Sequence, residues 1–574
     1  MSSVPVRAAL LGALFAALVT LPGLGTGTLW DNSETAYGEV AREILLTHDW
    51  VVMHLNAQPW FVQPPLYFWI AALLAKLFGV TAFALRLPSA LATIAMGGAV
   101  GYATARIAGG RAGMIAAIVL STSLMQAIVG RLAIMDALLD FSVAAAVLWW
   151  YRAFDPSGDG RRRDTALVCG ALALAVGTLA KGPVAPVIAV LVIGAWLVWE
   201  QRAGRLAAPH PAAWGLAALA FALVTLPWFV GLFGRVGPGA LGELIGHYTV
   251  GRYTGVIENQ TGPFWYYLPV LILGFFPWIA FVPVALAAAA HEARRPAGSF
   301  ARFALVWTVV PLLFFSCAST KLPNYVALLL PALAILVALW FERVAAGAQR
   351  RAAVVSAATI PLFVGCVGLA IALFSRSNRL DVDAAVLDPQ LLFLGGAMLV
   401  GSLLTVAALA RRRSVAWSPY VLAVTSGALV LFIAFVAEPA AEPLKPIPPL
   451  ARIIQARRAP ADVVAIRGVS GGNSLTFYTT PPVRDISSNR AFVGTICPAG
   501  TTWLVTRPPD AATLQAAARR VGRTATVVAS APAGHPRAAL LRVDGGPCPD
   551  GVAARKPAGT TDAMSPRPAS RSAE

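Results

Sequence analysis

Five groups of residues in this chain could do chemistry. Asp31 and Glu34 are two carboxylates three residues apart, and Arg131 and Asp136 set a cation five residues before a carboxylate. Lys181 stands directly before Gly182-Pro183, while Arg252-Tyr253 and Lys321, with Asn324 and Tyr325, place cations beside hydrogen-bonding side chains. A carboxylate can take a proton from a hydroxyl, and cations can hold a phosphate-like anion. Each group also fits a plainer role. Asp-x-x-Glu suits a helix N-cap with a capping box, Arg131 and Asp136 suit an ion pair anchoring a helix end, Lys181 can snorkel to an interface, and loop cations can simply be solvated. A dinucleotide fingerprint and a Walker loop are both missing from the sequence, so a nucleotide-sugar or ATP mechanism has no support.

The elements that must position these groups are membrane spans. The 574 residues are 57% hydrophobic and 13% charged, with a mean hydropathy of +0.69, outside the range of soluble domains. At about 20 apolar residues per span, thirteen helices are expected: near 8–24, 88–107, 112–129, 135–152, 165–180, 183–200, 213–233, 264–290, 302–318, 324–341, 352–374, 390–410 and 418–437. With the N-terminus inside, Arg106, Arg111, Arg152, Arg161 to Arg163, Arg202, Arg205, Arg294, Arg295, Arg350, Arg351 and Arg411 to Arg413 all fall on the cytoplasmic side. The net charge of +18 therefore reads as the positive-inside pattern rather than a nucleic-acid surface. The same threading puts the five candidate groups on the opposite side. The first segment reads as a transmembrane anchor rather than a cleaved signal peptide.

The expected organisation is a mainly α, polytopic membrane domain over 1–440, a proline-rich stem at 441–449, an extracytoplasmic α/β domain over 450–551 and a disordered tail at 552–574. The first outer loop, 25–86, is long for a connector. Ala36, Val40, Ala41, Ile44 and Leu45 recur at helical spacing, predicting an interfacial helix over Ser33–Leu46, and Pro64-Pro65 predicts a second helix start. Trp60, Trp69, Trp265 and Trp278 fit an interfacial aromatic belt. Cys169, Cys317 and Cys366 lie in apolar spans, whereas Cys497 and Cys548 lie where oxidising conditions would allow a disulfide. The cysteine spacing matches no metal site.

Taken in order, Glu34-Thr-Ala-Tyr-Gly-Glu-Val-Ala-Arg-Glu43, His48-Asp-Trp50, Leu55-Asn56, Pro59-Trp60, Pro64-Pro-Leu-Tyr-Phe-Trp69, Phe83-Ala-Leu-Arg-Leu-Pro-Ser89, Gly130-Arg-Leu-Ala-Ile-Met-Asp-Ala-Leu138, Lys181-Gly-Pro183, Gly262-Pro-Phe-Trp-Tyr-Tyr-Leu-Pro269 and Ser319-Thr-Lys-Leu-Pro-Asn-Tyr325 resemble a known family. It is the GT-C fold glycosyltransferase family of the lipid A aminoarabinose and galacturonic acid transferases, and more distantly the protein O-mannosyltransferases. The likeness is strong over about the first 340 residues.

The resemblance implies an inverting enzyme of the bacterial inner membrane. It would move a sugar from a polyprenyl-phosphate donor to a lipid or glycan acceptor, with the site and C-terminal domain facing the periplasm and membrane lipids around it. Asp31, Glu34 and Asp136 would be the catalytic carboxylates, and Arg131, Lys181, Arg252, Lys321 and Tyr325 the donor-phosphate ligands. The chain departs from the family pattern at Ser33 and Ala36, where the family has Asp and a basic residue, at Val62-Gln63, where it has Glu-Lys, and at Gln260, where it has His. Valine cannot ligate a metal and glutamine ligates zinc poorly, so no metal and no cofactor is expected. The same losses motivate an alternative, a catalytically degenerate member that binds a polyprenyl lipid. A transporter would show two related halves with paired broken helices, and the sequence has no such symmetry.

Overall fold

In a bilayer every backbone N–H and C=O must be satisfied within its own segment, so long apolar runs become helices. The computed structural model describes residues 3–545 apart from 157–158, 203–205, 258, 376–387, 412–414, 481, 487, 498–499 and 532–536. Among the described residues, ten helices are long and apolar enough to cross a membrane: Ser3–Thr20, Ala82–Ala108, Gly160–Lys181, Val184–Gln201, Pro211–Val236, Ser299–Cys317, Pro323–Ala345, Arg350–Val367, Pro389–Ala410 and Val415–Leu444. Phe264–Gly274 and Trp278–Ala293 form an eleventh crossing if taken together, bent by 111°. The protein is a multi-pass membrane protein.

Thirteen spans were expected, and the other two positions are helical but differ from lipid-facing spans. The run at 112–129 divides into Gly110–Ser121 and Leu124–Val129. At the break the Thr122 and Ser123 hydroxyls donate to the Ile118 and Leu120 carbonyls, the local competition that disfavours helix interiors. Asp136–Ala153 carries Asp136, Asp140 and Arg152, and both carboxylates are buried among neighbouring helices.

By internal contacts the chain divides into two units, one of Met1–Leu29 with Ala36–Glu442, the other of Trp30–Thr35 with Pro443–Glu574. The first unit's core centres on Trp278, Phe281, Trp307, Trp340 and Phe341. Trp278 is thus no interfacial anchor: it is fully buried and donates through Nε1 to Thr122 Oγ1 at 3.0 Å. Trp265 is exposed. The same unit buries an Arg302–Glu200 ion pair, Arg302 also donating to the Ala293 and Arg295 carbonyls at 2.7 and 2.8 Å. Arg86 is buried too, donating to the carbonyls of Leu24, Thr26 and Thr28 and lying 3.2 Å from Glu438.

The long first loop holds a helix at Ser33–Thr47 and a short antiparallel pair, β1 (His54–Leu55) with β2 (Gln58–Pro59). Asn56 and Ala57 both have positive φ, the pattern of a two-residue hairpin turn. Glu43 fixes that turn by accepting from Ala57 N–H at 3.0 Å, while Glu39 receives a two-pronged Arg42 fork at 2.7 and 2.9 Å. Burial of Glu39, opposed by Arg42, pushes its carboxyl pKa up to about 7. Leu66–Phe78 begins after Pro65.

The second unit contains a five-stranded sheet of β3 (Val463–Arg467), β4 (Val483–Asp485), β5 (Thr502–Thr506), β6 (Thr524–Ser530) and β7 (Ala539–Asp544), in the order β4-β3-β5-β7-β6. β3 is parallel to β4 and β5, and β7 is antiparallel to β5 and β6. Side-chain alternation sends Val464, Ile466 and Trp503 against Ile447–Arg457 and Gly472–Thr479, and Ala465 and Leu504 against Asn489–Ile496 and Pro508–Arg519. Helices on both faces bury the parallel strands. Cys497 is disulfide-bonded; Cys548 and the tail expected at 552–574 lie outside the described residues.

Candidate active site

Within the membrane unit, three separate stretches of sequence meet around the carboxylate of Asp136. Asp136 opens its helix and Lys181 closes Gly160–Lys181, where Gly182 turns the chain at φ +77° into Val184–Gln201. Lys181 Nζ forms an ion pair with Asp136 Oδ1, and Asn324 Nδ2 donates to the same oxygen. The ammonium also lies 5.6 Å above the Tyr325 ring centroid. Asp136 is 5% exposed, so this pair is largely withdrawn from water, where charges interact strongly. A Cβ on Gly182 would lie 3.9 Å from Pro64 Cγ and 3.8 Å from Thr249 Oγ1, which brings the first loop and the 242–251 segment to the same corner.

Tyr37 belongs to this neighbourhood. Its ring packs edge-on against Phe68 at 5.7 Å and against Trp60 and Tyr67 at 6.2 Å, and Tyr67 OH donates to the Leu85 carbonyl at 2.8 Å. Deeper along the Asp136 helix, Asp140 is 2% exposed, and its Oδ2 has no hydrogen-bond partner among the described residues.

The other expected site residues go elsewhere. Arg131 does not pair with Asp136: its Nη1 donates to the carbonyls of Val19, Thr20 and Pro22 at 3.3, 2.7 and 2.9 Å, closing the end of Ser3–Thr20. Orphan carbonyls at a helix end attract a cation, and Lys181 takes the carboxylate instead. Lys321 is 5% exposed and donates to the carbonyls of Phe315, Ser316 and Ala318 at 3.2, 2.6 and 2.5 Å, capping Ser299–Cys317. Arg252 lies 5.7 Å over the Tyr248 ring, and its carbonyl accepts Thr320 N–H at 3.0 Å. Asp31 and Glu34 fall in the second unit. Glu34 is buried and accepts Trp30 N–H at 2.9 Å, a reach back across the start of Ser33–Thr47. Asp31 instead accepts from the Thr35 and Ser474 side chains.

Asn324 is expected only as a companion of Lys321 at the phosphate, and Asp140 is not among the expected site residues. Asn324 sits beside Lys321 in a segment already marked for function, and Asp140 repeats the acid of Asp136 at i+4, the spacing that shares a helix face.

The fold is that of the GT-C membrane glycosyltransferases. ArnT from Cupriavidus metallidurans superposes with a TM-score of 0.76 in its apo state, covering 94% of this chain and 98% of that one at 21% identity. The same protein bound to undecaprenyl phosphate superposes at 0.74 over the same shares.

Within that class, the chain is similar in sequence to bacterial aminoarabinose transferases. It is 33% identical over 333 residues to the undecaprenyl phosphate-alpha-4-amino-4-deoxy-L-arabinose arabinosyl transferase of Erwinia tasmaniensis, which covers 58% of this chain and 59% of the relative. It is 30% identical over 354 residues to that of Edwardsiella ictaluri, 62% of each chain. The similarity thus spans about three fifths of these relatives' length. Residues 62–228 match the family model of dolichyl-phosphate-mannose-protein mannosyltransferase.

Proposed function

We propose that this protein is an integral-membrane glycosyltransferase. It takes a sugar from a polyprenyl-phosphate donor and transfers it to a lipid or glycan acceptor on the extracytoplasmic side of a bacterial inner membrane. The observation that carries the reading is the buried Asp136–Lys181–Asn324 cluster, inside a fold shared with a protein that binds undecaprenyl phosphate. Asp136 or Glu34 accepts the proton of the attacking acceptor hydroxyl as the new glycosidic bond forms and the bond to the donor phosphate breaks. Lys181 and Arg252, with the Tyr325 hydroxyl, stabilise the leaving phosphate. Arg131 and Lys321 act at one remove, holding the ends of Ser3–Thr20 and Ser299–Cys317. When the phosphate arrives, Lys181 exchanges part of its interaction with Asp136 for the new anion, freeing the carboxylate to act as a base.

The test is transfer by the purified protein from undecaprenyl-phosphate aminoarabinose and a panel of other polyprenyl-phosphate sugars. The comparison includes Asp136→Asn, Glu34→Gln and Lys181→Met, each checked for intact folding. Transfer by wild type that is lost in Asp136→Asn or Glu34→Gln supports the reading. A second reading, a polyprenyl-lipid-binding member without catalysis, is favoured by Ser33, Ala36, Val62, Gln63 and Gln260 standing where the family has reactive side chains. Tight binding of undecaprenyl phosphate with no transfer from any donor selects it.

A further inference from the structure

The C-terminal unit contains an anion cradle, and its occupant belongs to the chain itself. β3 runs into Gly468-Val-Ser-Gly-Gly472, which opens the helix Gly472–Thr479. The chain then forms β4 on one side of β3 and β5 on the other. The carboxyl end of β3 therefore lies at the point where strand order reverses, the place where open α/β sheets bind ligands. The helix is preceded by Gly471 at φ +130°, a residue with no side chain to cap the first turn. Its N-terminal N–H groups consequently need an outside acceptor.

Asp31 supplies it. Its Oδ1 accepts Ser474 N–H at 3.2 Å, Ser474 Oγ–H at 2.9 Å and Thr35 Oγ1–H at 3.2 Å. A Cβ on Gly471 would stand 3.2 Å from Asp31 Oδ2 and 2.7 Å from Ile447 Cγ1. Only glycine lets the backbone come this close to the carboxylate. The flanking residues are held in the same unit: Asn473 Nδ2 lies 3.4 Å from the Asn32 carbonyl, and Lys445 Nζ stacks 4.1 Å from the Trp30 ring centroid.

We propose that the Gly471–Ser474 turn is a carboxylate-binding site whose ligand is Asp31. Through it the C-terminal unit grips the strap Trp30–Thr35, and Asp31 is a positioning residue. Two donors of the turn and the Thr35 hydroxyl converge on Oδ1 and fix the orientation of the carboxylate.

Chemical rescue on the full-length protein in detergent tests this. Asp31→Ala should speed amide exchange in 472–479 and 30–35 by roughly 5- to 30-fold, the range expected for a lost cap, and Gly471→Ala should do the same. Sodium acetate, against sodium chloride at equal ionic strength, should restore protection in Asp31→Ala but not in Asp31→Ala/Ser474→Ala. Unchanged exchange in Asp31→Ala, or a change that acetate leaves untouched, overturns the site. These readouts do not depend on the transferase reading. The activity arm rests on it: Asp31→Asn, which keeps a side-chain oxygen acceptor, should retain kcat within a few fold and an unshifted pH profile. Loss of kcat with normal exchange makes Asp31 the base and refutes the positioning role.

Discussion

If Asp136 and Lys181 neutralise each other inside the membrane unit, removing both should cost clearly less than the sum of removing each alone. At a contact distance of about 3 Å and an effective dielectric of about 20, the attraction is roughly 5 kcal/mol. Breaking a buried pair by deleting one partner typically costs about 3–5 kcal/mol, because the other charge is left uncompensated. Asp136→Ala leaves the Lys181 ammonium beside a ring and without its carboxylate. Lys181→Met leaves Asp136 with Asn324, which donates to the same oxygen, so it should fall at the lower end of that range. The double variant should recover roughly 2–3 kcal/mol relative to the sum of the singles. Stability would be followed by tryptophan fluorescence during SDS titration from dodecyl maltoside, with the four proteins forming a double-mutant cycle. Effects that add within about 0.5 kcal/mol would refute the account, because uncoupled residues cannot be the closed pair on which the proposed exchange with phosphate depends.

Three further outcomes follow from other features. Glu39 titrates near 7 in the folded chain against an ordinary value of 4.5. The folded state therefore holds its proton longer, and stability falls as pH rises from 4.5 to about 7; wild type minus Glu39→Gln should decline by roughly 3 kcal/mol across that window in pH-dependent denaturation. Arg86→Lys should lower stability by about 2–4 kcal/mol in the same SDS assay, because an ammonium cannot reproduce a fork spanning three carbonyls and Glu438. Lys321→Met should destabilise by roughly 1–3 kcal/mol through three freed carbonyls, while undecaprenyl-phosphate affinity, measured by microscale thermophoresis, stays within about threefold. A large loss of affinity in a folded Lys321→Met protein would restore Lys321 to the phosphate site.

The apolar runs made most of the fold legible, since hydrophobic length is close to sufficient for a bilayer helix. The two expected spans that failed as lipid-facing helices did so for reasons readable only in context. Thr122-Ser123 breaks one through hydroxyl-to-backbone bonds, and Asp136 with Asp140 makes the other tolerable only because neighbouring helices cover it. The residues of the candidate site were visible, but their partners were not. Arg131 and Asp136 are close in sequence, which suggested a pair, yet Asp136 meets Lys181 from 45 residues away. Lys321 looked like a loop cation because its role depends on where Ser299–Cys317 stops, a boundary set by packing rather than by any local signal. Asp31 and Glu34 had capping spacing, but the sequence could not show that Asp31 caps a different helix, 443 residues further on.

The Asp136–Lys181 pair also constrains how the chain enters a membrane. The helix Asp136–Ala153 is synthesised before Lys181 exists, and its two aspartates, one at its first residue and one a turn further in, raise the cost of inserting it alone, toward the roughly 3 kcal/mol of an aspartate at a span's centre. Alone, that helix is a poor passenger for lateral release into lipid. It should wait in the translocon, or beside a chaperone, until Gly160–Lys181 emerges and delivers the compensating ammonium, so that the two partition as a hairpin. A substitution at Lys181 would then lower yield at the stage of insertion, independently of what it does to the finished protein.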